Sequence, residues 1–431
     1  MCRDTKIEDT LPIYSLDEIS KHNSKTDRWI AIDGLVYDVT QWSRRHPGGE
    51  KLLANHAGED ATDAWVAFHD NKEKVQKYLK SLQIGEVRQE DQKESELDRD
   101  WRELRRKSEE MNLFDRSVPF FLVYGGQIFF FELLGWLTLY YFGTGWIPYI
   151  VSALFLVTAQ QQAGWLQHDF GHLAVFRSLR WNHIAHIFLM NYFKGVSSEW
   201  WNYRHYQHHA KPNIVRKDPD VRLEMVHMIG KTIPVEWGKK KKGYLPYQHQ
   251  HKYFYFILPP LLLPIYFNFE VPFFLLKRKL WMEACITVTF FIRWEIMFSS
   301  FLGYGGALLY YLFVRFLESH WFVWTTQMNH IPMEVDHEKH RDWVPMQLAA
   351  TCNVDSSLFN DWFTGHLNFQ IEHHLFPTMP RHNYIKIQPL VKSLCKKHGL
   401  NYESKPLLKA FQDIVGSLKK SGELWYEAYN L

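Results

Sequence analysis

The sequence predicts a small α+β domain followed by an all-α, multi-pass membrane domain with about four transmembrane helices and a cytosolic helical cap. Near the N-terminus, RWIAIDGLVYDVTQW alternates apolar and polar residues around the turn dipeptide Asp33-Gly34, a pattern typical of two short paired strands. After Arg116 come apolar segments long enough to cross a bilayer. Aromatic residues make up 16% of the chain, with 18 Trp, as expected where amphipathic rings settle at the headgroup depth of a membrane.

Composition divides the 431 residues into three regions. Residues 1–87 carry the strand pattern and form the predicted soluble domain. Residues 88–115 are highly charged and contain no Gly or Pro, which indicates a linker that runs into a surface helix. Residues 116–431 form the predicted membrane domain.

Four apolar segments are candidates for membrane spans, which take about 20 residues each. They lie within residues 118–146, 147–165, 254–276 and 284–322, and an in-plane segment before the fourth span is an open alternative. The last contains Arg293, Glu295 and Arg315, and because charge is costly at mid-bilayer we expect these side chains near an interface or facing protein. Two hairpins of spans would bring both histidine-rich segments, residues 168–209 and 330–374, to one face. The run GKKKKG before the third segment predicts that this face is cytosolic.

Charge and cysteine content exclude other classes of protein. The formal net charge of +3, with scattered basic residues, argues against a nucleic-acid partner. The four cysteines lie far apart in no paired pattern, which fits a reducing compartment. The first residues contain no apolar secretory segment, so we expect the N-terminus to stay in the cytosol.

The first candidate cofactor site combines His46, in the motif HPGG, with His69. Gly48 and Gly49 permit a tight turn and let the backbone approach a flat ligand closely. Two imidazoles on opposite faces of one planar ring would ligate haem b with both axial positions filled, a site suited to electron transfer and closed to oxygen. The competing interpretation is a pair of surface histidines in a small α/β domain.

Three further motifs, HDFGH, HYQHH and QIEHH, predict a metal site. Their histidines are His168, His172, His205, His208, His209, His373 and His374, and Gln370 takes the first position of the third motif. Spacings of three and four residues stack side chains on one helix face. Imidazole suits transition metals rather than hard cations, and without neighbouring cysteines zinc or iron remains. Seven histidines exceed the four ligands of structural zinc, so we expect two metal ions, and a haem electron donor in the same chain favours iron.

These motifs resemble two known families. WIAIDGLVYDVTQWSRRHPGG, AGEDAT and IGEV resemble a cytochrome b5 domain over about residues 12–87. HDFGH, HYQHH and QIEHH resemble the three histidine boxes of membrane fatty acid desaturases. A QxxHH third box behind an N-terminal cytochrome b5 domain is similar to the front-end subgroup, and most similar to the animal delta-5 and delta-6 fatty acyl desaturases.

The resemblance implies roles for two more side chains. Related acyl desaturases place a further metal ligand on a separate helix, where this chain has His330 in TQMNHIP. Gln370 would offer its carbonyl oxygen to a metal, directly or through water, or would act as a hydrogen-bonding neighbour of the ligands. His366, four residues before Gln370, is not expected to be a ligand. Asp169, Asn202, Asp218 and Glu372 are expected as hydrogen-bond partners of the metal ligands.

The resemblance also implies an activity. The enzyme would be an oxidoreductase of the endoplasmic-reticulum membrane that inserts a cis double bond between an existing one and the carboxyl end of a fatty acyl-CoA. It would use O₂, a di-iron centre, and electrons from NADH through cytochrome b5 reductase and the attached haem. A sphingoid-base desaturase and a fatty acyl hydroxylase would share these domains. A haem electron carrier with an inactive membrane domain is a more remote alternative.

Overall fold

The computed structural model describes residues 11–69, 72–340 and 342–431. The chain separates into two compact units, Met1–Glu103 and Leu104–Leu431. Residues 1–10, Cys2 among them, lie outside the described residues. The predicted start of the soluble domain and the expectation of no secretory segment depend on this stretch.

The first unit is built on a five-stranded sheet with the strand order β1-β5-β4-β3-β2. The strands are β1 (Ile13–Tyr14), β2 (Asn23–Ser24), β3 (Asp27–Ile32), β4 (Leu35–Asp38) and β5 (Gln83–Val87). The helices are α1 (Leu16–Ile19), α2 (Glu50–His56), α3 (Thr62–Phe68) and α4 (Lys72–Leu79), with 3₁₀ turns at Trp42–Arg44 and Gln89–Asp91. A further helix, α5 (Glu96–Glu110), contains the boundary between the two units.

The β3–β4 hairpin turns at Asp33 and Gly34, as the sequence predicts. Both residues have positive φ, 50° and 73°, which is the backbone conformation that a tight hairpin needs. Along β3, Ile30 and Ile32 pack into one hydrophobic cluster and Ala31 into another. The two-residue alternation of the sequence therefore corresponds to two buried faces of the sheet.

The second unit is almost entirely helical. Its helices are α6 (Val118–Phe142), α7 (Trp146–Gly171), α8 (Leu179–Ile187), α9 (Ser198–Ala210), α10 (Thr232–Lys239), α11 (Gln250–Ile265), α12 (Val271–Arg278), α13 (Trp281–Gln327), α14 (Trp343–Ala350), α15 (Leu358–Thr364), α16 (Gln370–Leu375), α17 (Tyr384–Lys397) and α18 (Leu407–Asn430). Shorter π-helical turns lie at Phe188–Phe193 and Tyr266–Glu270, and 3₁₀ turns at Tyr247–His249 and Arg381–Asn383. A two-stranded parallel ladder joins β6 (Asn353–Val354) to β7 (Ser404–Lys405). The predicted fold class, an α+β domain followed by an all-α domain, is confirmed.

Three helical stretches of the described residues are long and apolar enough to cross a membrane: Val118–Phe142, Tyr247–Arg278 and Trp281–Gln327. The second predicted span lies in α7, which pairs antiparallel with α6. Two hydrogen bonds show this pairing: the Ser152 hydroxyl donates to the Gly135 carbonyl oxygen at 2.6 Å, and Gln127 donates to Gln162 at 3.1 Å. Four spans remain a prediction.

The segment predicted as one span over residues 284–322 is divided into two helical parts. Gly303 has φ 70° and ψ 164°, a conformation that side chains with a Cβ rarely adopt, and it interrupts α13. The two parts pair antiparallel, because the Trp294 indole donates to the Ala307 carbonyl oxygen at 2.9 Å and the rings of Phe290 and Tyr311 are 5.8 Å apart. The sequence left open an in-plane segment before the fourth span, but it did not predict the reversal that Gly303 permits.

The last helix, α18, closes a helical cap against α10 and α11. Ile414, Leu418 and Trp425 share one buried cluster with Tyr247 and Phe254. The Trp425 indole donates to the Lys242 carbonyl oxygen at 2.8 Å. Gly422 lies where the backbone of Tyr247 approaches the helix so closely that a Cβ would overlap the carbonyl oxygen.

Gly422→Ala is therefore expected to destabilise the second unit by about 1–3 kcal/mol, because backbone cannot move aside as a flexible side chain does. Gly416→Ala, in the same helix with open space around it, is the matched control and is expected to be neutral or to stabilise by about 0.5–1 kcal/mol. Thermal unfolding of the detergent-solubilised protein measures both. Equal midpoints for the two variants would contradict the packing of α18 described above.

Candidate metal centre and haem site

The histidines of the three motifs lie on separate helices that meet in the second unit. His168 lies in the last turn of α7 and His172 follows its end, while His205, His208 and His209 lie on α9. Gln370, His373 and His374 lie on α16, and His330 follows α13. Apart from the half-buried His168 and His205, each of these side chains is buried. Four stretches of chain separated by up to two hundred residues thus supply one buried cluster.

Five imidazoles form the first group: His168, His172, His205, His209 and His373. Nε2 of His205 is 2.8 Å from Nε2 of His172, 3.1 Å from that of His168 and 3.0 Å from that of His209. The His373 ring centroid lies 4.6 Å from that of His168 and 4.5 Å from that of His209. Their ring nitrogens therefore converge on one small volume.

The second group consists of His208, His330 and His374, whose ligand nitrogens also lie within 4.8 Å of one another. The ring centroids of His208 and His330 are 4.6 Å apart, and each is 5.0 Å from that of His374. His330, which the sequence identified only through resemblance, therefore belongs to the cluster.

Hydrogen bonds fix the outer nitrogen of four imidazoles. Nδ1 of His208 lies 2.8 Å from an Asp218 carboxylate oxygen, and Nδ1 of His330 lies 3.0 Å from the Ala350 carbonyl oxygen. Nδ1 of His373 lies 2.9 Å from the Tyr384 hydroxyl, and that of His374 lies 2.9 Å from Oε1 of Gln347. Such partners orient the rings and leave Nε2 as the ligand atom.

Gln370 belongs to the second group through its side-chain amide. Its Nε2 lies 2.8 Å from Nε2 of His330, whereas its buried Oε1 has no hydrogen-bond partner among the described residues. Because the two amide atoms exchange positions on rotation, this geometry accommodates both a direct ligand and a hydrogen-bonding neighbour of one. The role of Gln370 remains a prediction.

The electrostatics of the cluster keep most of its imidazoles neutral. Burial lowers the pKa of His330 to about 3. Burial and the neighbouring imidazoles hold the pKa of His374 well below its ordinary value. Burial also acts to lower the pKa of His208, but the Asp218 carboxylate outweighs it and raises that pKa above its ordinary value. Neutral imidazole is the form that binds metal.

The donor set fits two transition-metal ions, one in each group. Buried nitrogen lone pairs that face one another are unfavourable unless a cation lies between them, and Nε2 of both His373 and His374 has no hydrogen-bond partner among the described residues. All-nitrogen ligation suits iron as well as zinc. His168, His172, His205, His209 and His373 would hold one ion, and His208, His330 and His374 the other, with Gln370 beside it.

The other polar residues singled out in the sequence behave differently from one another. Asp218 orients His208, as expected. Asp169 instead pairs with Arg381 at 3.2 Å, and Glu372 accepts from Asn353 and Tyr402 at 2.7 Å each, so neither bonds a cluster imidazole.

The remaining polar side chains lie outside the cluster. No hydrogen-bond partner of Asn202 Oδ1 is present in the described part of the chain. His366 lies outside both groups, because α16 begins at Gln370 and His366 occupies a turn with φ 65°.

Sequence reasoning missed Gln347 and Tyr384. Tyr384 follows the third motif by ten residues at the start of α17, and no sequence spacing marks it as a partner of His373. Gln347 contacts two cluster segments, since it also donates to the His209 carbonyl oxygen at 2.9 Å. Only the packing of α14 against α16 shows this role.

A cavity passes directly beside both histidine groups. It has an empty volume of about 1380 Å³, its open mouth included. The cluster residues on its wall are His168, His205, His208, His330 and Gln370. Its apolar wall includes Met190, Leu263, Phe267 and Phe322, a lining that suits an apolar ligand.

The candidate haem site lies in the first unit. The ring centroids of His46 and His69 are 6.2 Å apart. Nδ1 of His69 lies 2.9 Å from the Trp65 carbonyl oxygen, which leaves Nε2 as the axial ligand atom. Gly49, with φ 94°, makes the turn from His46 into α2. The two imidazoles fit an axial pair for one haem.

Two family models match the chain. Residues 144–406, more than half of the chain, match the model described as "Fatty acid desaturase". Residues 15–88 match the model described as "Cytochrome b5-like Heme/Steroid binding domain".

Solved structures are similar over a small part of the chain. The cytochrome b5 of Ostreococcus tauri virus 2 is 39% identical over 17% of this chain and 95% of its own, with a TM-score of 0.17. Cytochrome b558 of Ectothiorhodospira vacuolata, a prokaryotic homologue of cytochrome b5, is 31% identical over 18% of this chain and 99% of its own, with a TM-score of 0.17.

Tyr384→Phe removes the hydroxyl that orients His373 and is expected to weaken iron retention about tenfold or more. Iron content relative to haem, measured after a timed challenge with a chelator, reports the change. Tyr253→Phe, which loses a hydroxyl bonded to the Val226 carbonyl oxygen at 2.9 Å, is the matched control and is expected to keep its iron. Equal iron loss in both variants would contradict the orienting role.

The absorbance gained when haem is added to the haem-free protein is expected to stay constant from about pH 8 to about pH 5 and to fall near pH 4, because only a neutral imidazole binds the iron. Burial lowers the pKa of His46 to about 4, so this imidazole stays neutral above that range, and burial also lowers the pKa of His69 below its ordinary value. A spectrophotometric titration of the intact protein measures this. A transition centred near the ordinary histidine pKa of 6.5 would contradict the buried axial pair.

Proposed function

The chain belongs to the fatty acid desaturase family and carries a cytochrome b5-like domain before its desaturase domain, and on this premise we propose that it is a front-end desaturase of polyunsaturated fatty acyl-CoA. The new cis double bond would lie between an existing one and the carboxyl end, at the delta-6 or delta-5 position. The observation that carries the proposal is the apolar cavity that passes both histidine groups.

The proposed reaction consumes one O₂, two electrons and two protons, removes two hydrogen atoms from adjacent carbons, and releases two molecules of water. The two iron ions supply the oxidising chemistry when they are bound. The protein residues hold and orient the ligands, keep water from the buried cluster, and align the acyl chain along the cavity wall. Tyr266 and Phe267 line this wall and are candidates for setting the chain register.

Electrons are proposed to come from NADH through a separate cytochrome b5 reductase and the haem held by His46 and His69. The proposed division of the chain is a haem region of residues 1–87, a linker of residues 88–115 and a desaturase region of residues 116–431. The protein is proposed to lie in the endoplasmic-reticulum membrane with the haem and the histidine cluster on the cytosolic side, because electron donor and metal centre need to share one compartment.

Expression in a eukaryotic host that makes no polyunsaturated fatty acids tests the proposal. C18 and C20 polyunsaturates are supplied separately, and mass spectrometry locates any new double bond. One added bond on the carboxyl side of the existing bonds is expected. An oxygenated product would indicate a hydroxylase instead, and a product only from sphingoid bases would indicate a sphingoid-base desaturase.

Two variants measured in the same host separate the metal centre from the haem. His208→Ala is expected to lower product by at least about a hundredfold while the haem spectrum stays intact. His46→Ala is expected to lose both spectrum and product. His249→Ala, an exposed histidine, is the matched control and is expected to keep both. Normal product from His208→Ala would refute the metal-centre assignment.

A further inference from the structure

One stretch of the cavity wall carries hydrogen-bond donors among apolar side chains. Gln161 lies on this wall and is 1% exposed. Neither atom of its side-chain amide has a hydrogen-bond partner within the described residues. A buried amide without a partner is costly, so this side chain indicates that something else in the cavity accepts from it.

A second donor lies next to Gln161. The Lys194 ammonium, 4% exposed, lines the same stretch and donates to the Gln160 carbonyl oxygen at 2.6 Å and to the Glu318 carboxylate. An ammonium has three N–H groups, and in the described residues only two of those on Lys194 have acceptors. The third is available to the cavity.

Gly164 lies within van der Waals reach of both donors. A Cβ at this position would lie 3.6 Å from Nζ of Lys194 and 3.7 Å from Nε2 of Gln161. Met190, Phe267 and Phe322 line the same cavity. Both donors therefore line the cavity among apolar side chains, and the one carboxylate beside them, Glu318, already accepts from Lys194.

This donor pair lies at a defined distance from the metal centre. Gln161 precedes His168 by seven residues on α7, which is two helical turns, or about 10 Å along the helix axis. Both residues line the cavity. A hydrocarbon chain that reacts beside His168 would therefore pass Gln161 and Lys194 several carbons further along.

We propose that Gln161 and Lys194 recognise a cis double bond already present in the acyl chain, which rests on the desaturase function proposed above. At this depth the chain consists of hydrocarbon, and the π-electrons of a double bond are its only hydrogen-bond acceptor. A saturated segment leaves both donors unpaired, whereas a double bond accepts weakly from the amide N–H and attracts the ammonium. The site thus binds a saturated chain more weakly than an unsaturated one, because the saturated chain leaves the buried N–H groups without an acceptor.

The test uses Gln161→Met, which keeps the length of the side chain and removes the amide. The full-length membrane protein is given an equal mixture of two C18 acyl chains that differ by one existing double bond, a monoene and a diene. The ratio of the two products, each normalised to haem content, measures the preference. Gln161→Met is expected to lower the wild-type preference for the diene by about three- to tenfold, while turnover of the monoene stays level or rises.

Gln162→Met is the matched control. Gln162 is the next residue on α7, but its amide is bonded to Gln127 and to the Trp362 carbonyl oxygen at 3.1 Å each, and it does not line the cavity. Its substitution is expected to lower thermal stability and leave the preference unchanged. Gln161→Met loses no hydrogen bond within the described protein and is expected to keep its thermal stability.

An unchanged preference in Gln161→Met, with both chains desaturated, would overturn the inference and leave the proposed function intact, as expected if only water satisfies these donors. The same fall in preference in both variants would also overturn it. The wild type could also form no desaturated product from the monoene or from the diene while its haem spectrum is normal. That result would overturn the proposed function and this inference with it.

Discussion

The convergence of eight imidazoles, six of them buried, is the constraint on which the second unit depends. Their ring nitrogens lie in two groups, each within 4.8 Å, and the arrangement is favourable only when the rings are neutral, oriented and bound to cations. Each requirement is met by another part of the fold. Burial keeps most of the rings neutral, while Asp218, Gln347 and Tyr384 fix Nδ1 of three of them. Helices α7, α9, α14, α16 and α17 must therefore pack in register before the site exists.

Buried charged side chains in the long apolar helices also have partners that offset the cost of their burial. The sequence predicts that Arg293 and Arg315 lie near an interface or face protein, and both face protein. Arg293 pairs with Glu132 at 2.7 Å, while Arg315 and Lys194 share Glu318. A charge in such surroundings is tolerated when it is paired and hydrogen-bonded. One of these pairs also lines the cavity, so a structural solution to buried charge places a cation beside the proposed substrate.

The sequence patterns of the haem unit are easier to interpret than those of the second unit, because they are local. Its hairpin, its alternating strands and the HPGG turn all depend on residues close together in sequence. His46 precedes α2 and His69 ends α3, and their ring centroids lie 6.2 Å apart. The pair of units fits the division of labour in the proposed reaction, in which one unit supplies electrons and the other supplies the metal centre and the cavity.

The sequence by itself determined the two kinds of domain, the β3–β4 hairpin and the residue types of both sites, because periodicity, turn chemistry and ligand spacing are local properties. It did not determine the reversal at Gly303, which appears in sequence as one glycine within a continuous apolar run. Nor did it show that Gln347 and Tyr384 orient His374 and His373, or that Asp169 pairs with Arg381 instead of a ligand. Only tertiary packing decided these contacts, because their partners are 11 to over 200 residues apart and no spacing rule connects them.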